Sequence, residues 1–289
     1  MGCTQGNTIP KCIKNYELDK RVDSILVYDE QNIILGIMDG IQIFNLKTKI
    51  FSSFSKKHKG RINVLIKLKD GRIASGGQDR KIKIWDIDSK ESMITFEGHK
   101  LMIWALEELK GNKIISGGSD KRILIWDLIE KRLDFELNYK EEVTALLQLK
   151  NGNIIFCVGN NLNLFDLESK KYLANINVNP GVWAIKQLSN NNVAIGKGDG
   201  ELEILEINDE IKTKSVLKGH KKSIVSIIEL KNQKLVTASD ENKMIIWDLC
   251  NIENKYFIEG HTKNVVGIAN LLDNTFVSIS KDETLKIWE

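Results

Sequence analysis

The chain has 289 residues, of which 42% are hydrophobic, and its formal net charge is +3. The hydrophobic content is sufficient for a large core, while the weak positive charge excludes the concentrated basic field of a dedicated nucleic-acid binder. The apolar runs fall short of the ~20 residues that cross a bilayer, and no secretory hydrophobic region follows Met1.

Residues 1–9 form a short tail that carries two candidate acylation sites. Gly2 is an acceptor for myristate once Met1 is removed, and Cys3 is an acceptor for palmitate. Gly6 departs from the acylation pattern, which has Ser or Thr at that position. Because firm anchoring takes two lipids, membrane association through this tail is a hypothesis that requires both acylations.

The remainder, residues 10–289, is predicted to be a single domain built from one repeated unit. Each of the four histidines stands 27 residues before a tryptophan, as His58 does before Trp85. Extending the spacing of these tryptophans, about 40 residues, gives seven equivalent positions, which mark the predicted ends of the units: Phe44, Trp85, Trp126, Phe165, Leu205, Trp247 and Trp288. A period near 40 residues, closed by an aromatic–acidic pair in most copies, indicates one supersecondary unit used seven times.

The third repeat shows the strands of one unit most clearly. Its four predicted strands cover residues 103–109, 113–116, 122–126 and 133–137. They are short, rich in β-branched and apolar residues, and bounded by Gly, Asn and Asp turns. One four-stranded sheet cannot bury both of its faces, whereas seven sheets packed radially can.

A glycine–histidine pair opens several repeats and a tryptophan–acid pair ends them. The opening pairs are Gly98-His99, Gly219-His220 and Gly260-His261. With these motifs the chain resembles the WD-repeat β-propeller family over essentially its whole length. The resemblance implies an all-β fold of seven blades, each a four-stranded antiparallel sheet. The seventh repeat ends at its third strand, so we expect residues 12–17 to supply the outer strand and close the ring.

Histidine, serine and aspartate recur at fixed offsets before the tryptophan, and they are also the components of a hydrolase triad. The sets are His58, Ser75, Asp79 and Trp85; His99, Ser116, Asp120 and Trp126; His220, Thr237, Glu241 and Trp247; and His261, Ser278, Asp282 and Trp288. A catalytic nucleophile usually occurs once per site, beside an oxyanion hole and a cleft. Repetition therefore favours a structural role, and the resemblance implies a buried hydrogen-bond chain from indole to carboxylate.

Several repeats depart from this pattern. In the sixth, Thr237 replaces serine, and either Glu241 or its neighbour Asp240 is expected to accept the histidine proton. Repeats one, four and five lack the histidine, so we expect their blades to rely on apolar packing. Residues 196–200 (Gly-Lys-Gly-Asp-Gly) join two predicted strands, which favours a tight turn over a phosphate-binding loop. Histidines spread over four blades predict no metal site.

Trp104 and Trp183 stand outside the repeat signature, at equivalent places near the start of a first strand. In propellers of this family that place lies near the top rim of the central channel, where partners dock. Because Trp, Met and Arg are enriched at interface hot spots, the predicted partner-binding residues are Trp104, Trp183, Met102, Arg61, Asn63, Arg21, Glu142 and Asn264. The alternative is that each indole fills a gap between blades.

These features predict a non-catalytic scaffold or adaptor that binds protein or peptide partners at its top face and channel rim. The alternative is a peptide- or substrate-recognition subunit of a larger complex, such as a modification reader. RNA binding is less well supported, because basic residues are not interleaved with stacking aromatics. No cofactor and no small-molecule substrate are expected.

The cysteines bear on the cellular compartment. None of Cys3, Cys12, Cys157 and Cys250 shows CxxC spacing. This favours four reduced thiols and a cytoplasmic location, with a membrane-associated or nuclear location as alternatives.

Overall fold

The computed structural model describes residues 9–55, 58–208, 210–231, 233–251, 253–272 and 274–289. Within these ranges every helix or strand assigned is a β-strand, and the 28 strands form seven four-stranded antiparallel sheets. The predicted fold class, a seven-bladed β-propeller, is confirmed. The candidate acylation sites Gly2 and Cys3 lie outside the described residues.

Each of blades 1 to 6 consists of four consecutive strands, given from the innermost to the outermost. Blade 1 contains β2 (Val22–Val27), β3 (Asn32–Ile37), β4 (Gly40–Asn45) and β5 (Phe51–Ser53), and blade 2 contains β6 (Ile62–Lys67), β7 (Ile73–Gly77), β8 (Lys81–Asp86) and β9 (Glu91–Glu97). Blade 3 contains β10 (Ile103–Leu109), β11 (Lys113–Gly118), β12 (Arg122–Asp127) and β13 (Arg132–Asn138), and blade 4 contains β14 (Val143–Gln148), β15 (Ile154–Val158), β16 (Asn161–Asp166) and β17 (Lys171–Asn177).

The remaining blades continue the ring. Blade 5 contains β18 (Val182–Gln187), β19 (Val193–Lys197), β20 (Glu201–Ile207) and β21 (Ile211–Lys218), and blade 6 contains β22 (Ile224–Glu229), β23 (Lys234–Ser239), β24 (Met244–Asp248) and β25 (Lys255–Ile258). Blade 7 contains β26 (Val265–Leu272), β27 (Thr275–Ser280), β28 (Thr284–Trp288) and, as its outermost strand, β1 (Cys12–Glu17).

The two ends of the chain close the ring. β1 pairs antiparallel with β28, so that Cys12 faces Trp288 and Glu17 faces Thr284. Beyond the strand, the backbone N–H of Lys11 donates to the carbonyl of Glu289 at 2.9 Å. The strand has the bounds predicted from the sequence, and its role in closing the last blade is confirmed.

Apolar side chains of neighbouring blades form the core. Among the described residues, each of the seven hydrophobic clusters joins two adjacent blades. Glycine in the second strand lets the next blade approach closely. A Cβ at Gly117 would lie 2.5 Å from Cγ1 of Val143, and one at Gly196 would lie 2.5 Å from Cγ2 of Ile224. These glycines therefore set the spacing of the blades around the channel.

In the described part of the chain, no helix has the length and apolar character needed to span a membrane. Cys12 and Cys157 are free thiols, whereas Cys250 is disulfide-bonded. The prediction of reduced cysteines is therefore wrong at Cys250, because spacing along the chain does not reveal pairs that folding brings together.

Candidate functional site

The residues of blade 3 that recur at fixed offsets before the signature tryptophan form one buried chain of hydrogen bonds. The indole N–H of Trp126 donates to Oγ of Ser116 at 2.9 Å, and this oxygen lies 2.7 Å from Nε2 of His99. On its other side, Nδ1 of His99 lies 3.0 Å from both carboxylate oxygens of Asp120. The chain of contacts joins the turn before β12 to the loop before β10.

The same arrangement recurs in blades 2 and 7. In blade 2, His58 lies 2.8 Å from Asp79 and 2.7 Å from Ser75, which also accepts from Trp85 at 2.7 Å. In blade 7, His261 lies 3.0 Å from Asp282 and 2.7 Å from Ser278, which accepts from Trp288 at 2.8 Å. Three blades therefore share one geometry to within a few tenths of an ångström.

Blade 6 distinguishes between the two candidate acids. Nδ1 of His220 lies 2.6 Å from Oε1 of Glu241, and Nε2 lies 2.7 Å from Oγ1 of Thr237. The indole of Trp247 donates to that hydroxyl at 2.8 Å. Asp240 instead contacts Asn264 and Lys281. Glu241 is the histidine partner because its longer side chain reaches the imidazole from the expected position in the turn.

The protonation of the hydrogen-bond chains in blades 6 and 7 follows from burial and hydrogen bonding. Burial lowers the pKa of His261 and of His220, against the pull of their carboxylate partners. Burial opposes the charge of Asp282, but hydrogen bonds from Thr284 and from the backbone N–H of Thr262 lower its pKa to about 2. The imidazoles of His220 and His261 are therefore neutral at neutral pH: Nδ1–H donates to the carboxylate, and Nε2 accepts from the hydroxyl.

The hydroxyls of the four chains are sealed from solvent. Ser75, Ser116, Thr237 and Ser278 are each 0% exposed. A nucleophile must contact its substrate, and an oxygen enclosed by an indole and an imidazole has no surface to offer one. This geometry supports a structural role for the four sets of residues. No group of three or more potential metal ligands occurs among the described residues either.

Blades 1 and 4 pack aromatic rings at the signature positions. Phe44 stacks on Phe51 with ring centroids 4.6 Å apart. Phe165 meets Tyr172 edge to face at 5.1 Å. These contacts are apolar, as predicted for the blades that lack the histidine.

Blade 5 packs Val178, Ile195 and Leu205 in one hydrophobic cluster, as predicted. It also contains a charged cluster that the sequence did not predict. Lys197 is only 5% exposed, and its ammonium lies 2.9 Å from the carboxylates of both Glu201 and Glu203. Lys218 binds the other oxygen of Glu201 at 2.9 Å. From the sequence, a lysine in a glycine-rich segment is expected to be exposed to solvent. In the structure, strand pairing places carboxylates of the next strand beside Lys197.

All seven innermost strands carry a β-bulge after their first residue, where the register with the next strand skips one position. The skipped residues are Asp23, Asn63, Trp104, Thr144, Trp183, Val225 and Val266. A bulge redirects a side chain away from the ladder. All seven residues line one cavity of about 380 Å³, which also contacts Arg61, Asp240, Val265 and Lys281. We call this cavity the channel mouth. The face of the propeller on which it opens is called the top face.

Two tryptophans meet inside the channel mouth. The rings of Trp104 and Trp183 are edge to face, with centroids 5.8 Å apart and an interplanar angle of 85°. Trp104 donates its indole N–H to Oγ of Ser119 at 2.8 Å, and that hydroxyl donates to Glu142 at 3.0 Å. Trp183 is 40% exposed. One indole is therefore held in place while the other presents apolar surface to solvent.

Four of the predicted partner-binding residues line the channel mouth: Trp104, Trp183, Arg61 and Asn63. The other four hold groups at or beside its wall. Arg21 binds the Asp23 carboxylate at 3.0 Å, and Asn264 donates to Asp240. Glu142 accepts from Ser119, as above, and Met102 contributes a backbone carbonyl that accepts from the Ser119 N–H at 2.9 Å.

The sequence did not place two charged residues, Asp240 and Lys281, at the channel mouth, and Asp240 was considered only as a partner of His220. Both come from turns between a second and a third strand, and they form an ion pair at 3.1 Å. Burial opposes the charge of Asp240, but hydrogen bonds from Asn264 and Lys281 lower its pKa. Each residue directly follows the last residue of a second strand. The two residues therefore occupy equivalent positions of their repeats, and aligning the repeats would have paired them.

Comparisons with known proteins agree with a WD-repeat propeller. The family model described as WDR41, a β-propeller, matches residues 28–259, and the model described as WD domain, G-beta repeat, matches residues 252–289. The chain belongs to the WDR41 family of WD-repeat β-propellers. A comparison with curated proteins finds no match. Propellers of this kind generally serve as protein-interaction scaffolds.

Proposed function

We propose that this protein is a non-catalytic scaffold or adaptor that docks protein partners on its top face, with the channel mouth as the central contact. The observation that carries the proposal is the tryptophan pair. Trp183 is 40% exposed in a cavity to which all seven blades contribute. Exposed indoles in a concave site are the type of residue on which interface energy concentrates.

The wall of the channel mouth supports this role because it is rigid. Nδ2 of Asn63 donates to the carbonyl of Ile103 in the next blade at 2.9 Å, and Oγ1 of Thr144 donates to the carbonyl of Val182 at 2.5 Å. These hydrogen bonds join neighbouring innermost strands directly beneath the cavity. A preformed surface loses little conformational entropy when a partner binds.

The test is removal of the indoles. Trp104→Ala combined with Trp183→Ala should weaken partner binding about thirtyfold, equivalent to ~2 kcal/mol for a hot-spot tryptophan. Because Trp104 has a part-buried hydrogen bond to Ser119, Trp183→Ala alone is the second variant, with little expected effect on thermal stability. Met93→Ala with Phe257→Ala removes side chains that are 59% and 46% exposed elsewhere on the surface and is the control. Partners that stay bound to both tryptophan variants would contradict the proposal.

The second candidate function is a peptide- or substrate-recognition subunit of a larger complex. A cavity of about 380 Å³ is large enough for one or two side chains of a linear segment. A short peptide from a partner identified in the first experiment separates the two functions. Retained affinity in the isolated peptide favours recognition of a linear motif, whereas complete loss favours a scaffold that binds folded surfaces.

We also propose that the tail is acylated at Gly2 and, where its thiol is reduced, at Cys3, and holds a cytoplasmic membrane against the bottom face. The support is the direction of β1. Lys11 pairs with Glu289, at the end opposite the channel mouth, and the N–H of Leu18 donates to Glu283 near the top. A tail joined to residue 9 therefore meets the propeller from below and leaves the channel mouth free.

The tail proposal is tested by intact mass and membrane fractionation. Gly2→Ala should move the protein to the soluble fraction, because a single remaining acyl signal anchors weakly. Gly6→Ala is the matched control and should stay with membranes. A natural protein whose mass shows no acyl group would contradict this proposal.

A further inference from the structure

The acidic groups of the channel mouth are already neutralised by the protein itself. The Asp23 carboxylate is bound by Arg21 at 3.0 Å, and the Asp240 carboxylate by Lys281 at 3.1 Å. Arg61 lines the same cavity and is exposed. Its guanidinium makes no ion pair or hydrogen bond with the described residues. The charge left unmatched in the channel mouth is therefore positive.

A second cavity on the top face continues this positive charge outward over blade 2. It has a volume of about 450 Å³ and is lined by Lys59, Gln78, Asp79, Arg80, Lys81 and Lys83. Its one carboxylate, Asp79, is held by His58 at 2.8 Å. Lys81 is paired with Glu97 at 2.5 Å. The charged ends of Lys59 and Arg80 have no side-chain partner within the described ranges.

The two cavities adjoin each other through Gln78. The backbone N–H of Gln78 donates to the carbonyl of Arg61 at 2.9 Å, and Oε1 of Gln78 accepts from the Arg61 N–H at 3.4 Å. Arg61, Lys59 and Arg80 are all exposed. We call these three residues the cationic track, because they run from the channel mouth over the top of blade 2.

We infer that the cationic track binds an acidic segment of a protein partner, with an apolar side chain of that segment packed against Trp183. The inference rests on the proposed function and adds the chemistry of the partner. Carboxylates pair with unmatched arginine and lysine through charge-assisted hydrogen bonds, and complementary charge raises the association rate and fixes the register. The segment runs radially, with its apolar anchor at the channel and its acids over blade 2.

The aromatic geometry favours a polypeptide over a nucleic acid. Single-stranded nucleic acids need aromatic faces on which successive bases stack. The faces of Trp104 and Trp183 are turned against each other at 85°, so they provide one apolar contact instead of a row of platforms. An oligonucleotide is therefore the negative probe in the test.

The experiment measures binding of fluorescein-labelled hexaglutamate to the whole protein by anisotropy. Hexalysine and a thymidine oligonucleotide are the comparison probes. Arg61→Gln with Arg80→Gln should weaken hexaglutamate binding on the order of tenfold. The control, Lys121→Gln with Lys263→Gln, removes the same charge from exposed residues of the same face, and Lys121 shares the positive φ of Arg80 (66° and 69°). It should change the affinity by less than about twofold.

The tryptophans provide an independent readout. Trp85, Trp126, Trp247 and Trp288 are at most 2% exposed, so a quencher in solution reaches mainly the channel mouth. Iodide should quench emission more strongly than caesium, and Arg61→Gln should reduce the difference. Equal quenching by the two ions, equal loss of hexaglutamate binding in both double variants, or tighter binding of the oligonucleotide would each overturn the inference.

Failure of this inference is distinguishable from failure of the proposed function. Partners that leave the tryptophan variants but remain on Arg61→Gln with Arg80→Gln would refute the acidic segment alone. Partners that remain on the tryptophan variants would refute the proposed docking site itself.

Discussion

Trp104 and Trp183 touch although they belong to blades 3 and 5, which are separated by the whole of blade 4. Their centroids are 5.8 Å apart, and each is the bulged residue of its innermost strand. Blade 4 has Thr144 at the equivalent place, and its hydroxyl donates to the Val182 carbonyl of the next strand. A small residue between two large ones allows the indoles to meet across the channel mouth.

Removal of the closing strand should destabilise the whole ring. Deleting residues 1–17 removes β1 and leaves β28 with an unpaired edge, which also invites aggregation. We expect the melting temperature to fall by roughly 10 °C. Deleting only residues 1–8 keeps β1 and is the control. Two truncated proteins that melt together would show that the pairing of β1 with β28 contributes little.

Ser116→Ala should destabilise blade 3 by roughly 1–3 kcal/mol, because Trp126 and His99 each lose a buried hydrogen-bond partner. The control is Ser215→Ala, in the outermost strand of blade 5, for which we expect a change within about 0.5 kcal/mol. Urea unfolding with a constant slope measures both. Similar losses at the two serines would argue against a special role for the buried chain.

Lys197→Met should cost about 3 kcal/mol, because the buried carboxylate of Glu203 loses the ammonium that pairs with it. Adding Glu203→Leu should recover most of the loss, since blade 3 has Leu124 at the equivalent position. Thermal unfolding of the single and double variants forms the test. A double variant less stable than Lys197→Met would contradict this account of blade 5.

Glu107 should make stability depend on pH. Burial raises its pKa to about 7 in the folded protein, against an ordinary value of 4.5. A raised folded pKa stabilises the protein below pH 4.5, and the contribution is lost as the pH rises through 7. Glu107→Gln should therefore gain stability relative to the natural protein at pH 8, by about 3 kcal/mol at most, and gain little at pH 4. Melting temperatures at both pH values measure this, with Glu130→Gln, at an exposed residue of the same blade, as the control.

The hydrogen-bond chain of blade 7 should stabilise the folded protein less in acid than at neutral pH. The pKa of His261 is lowered by burial, and that of Asp282 is lowered to about 2. Both folded values lie below the unfolded ones, so their stabilising contribution is present above pH 6.5 and is lost as the pH falls towards 2. Asp282→Asn should flatten the dependence of melting temperature on pH below 5, because an amide does not titrate. An unchanged slope would contradict the assignment.

The fold was predictable because the same pattern of strands and turns occurs in seven copies of one unit. The bounds of β1 follow from aligning residues 12–17 with the outer strands of complete repeats, and the structure has the strand there. Cys250 and Lys197 were not predictable in this way. The carboxylate partners of Lys197 lie on the next strand, and a feature present in a single blade gives no periodic signal.

The channel mouth was predictable in part. The matching positions of Trp104 and Trp183 identified the rim, because equivalent residues of a repeat occupy equivalent places around the ring. Asp240 and Lys281 lie 41 residues apart in neighbouring blades, yet the sequence alone does not show that both turns reach the cavity. Whether the side chains of a turn reach the channel depends on how the strands of neighbouring blades pack.

The bulges free one residue of each innermost strand from the requirements of strand pairing, so that this residue can serve in binding. A ladder residue must suit both its cross-strand neighbour and the blade packed against it, so its identity is tightly constrained. The seven skipped residues have no partner opposite them in the ladder, and they range here from Asp23 through Val225 to Trp183. Recognition can therefore diverge at these positions while the framework stays the same, as loops diverge on a fixed scaffold.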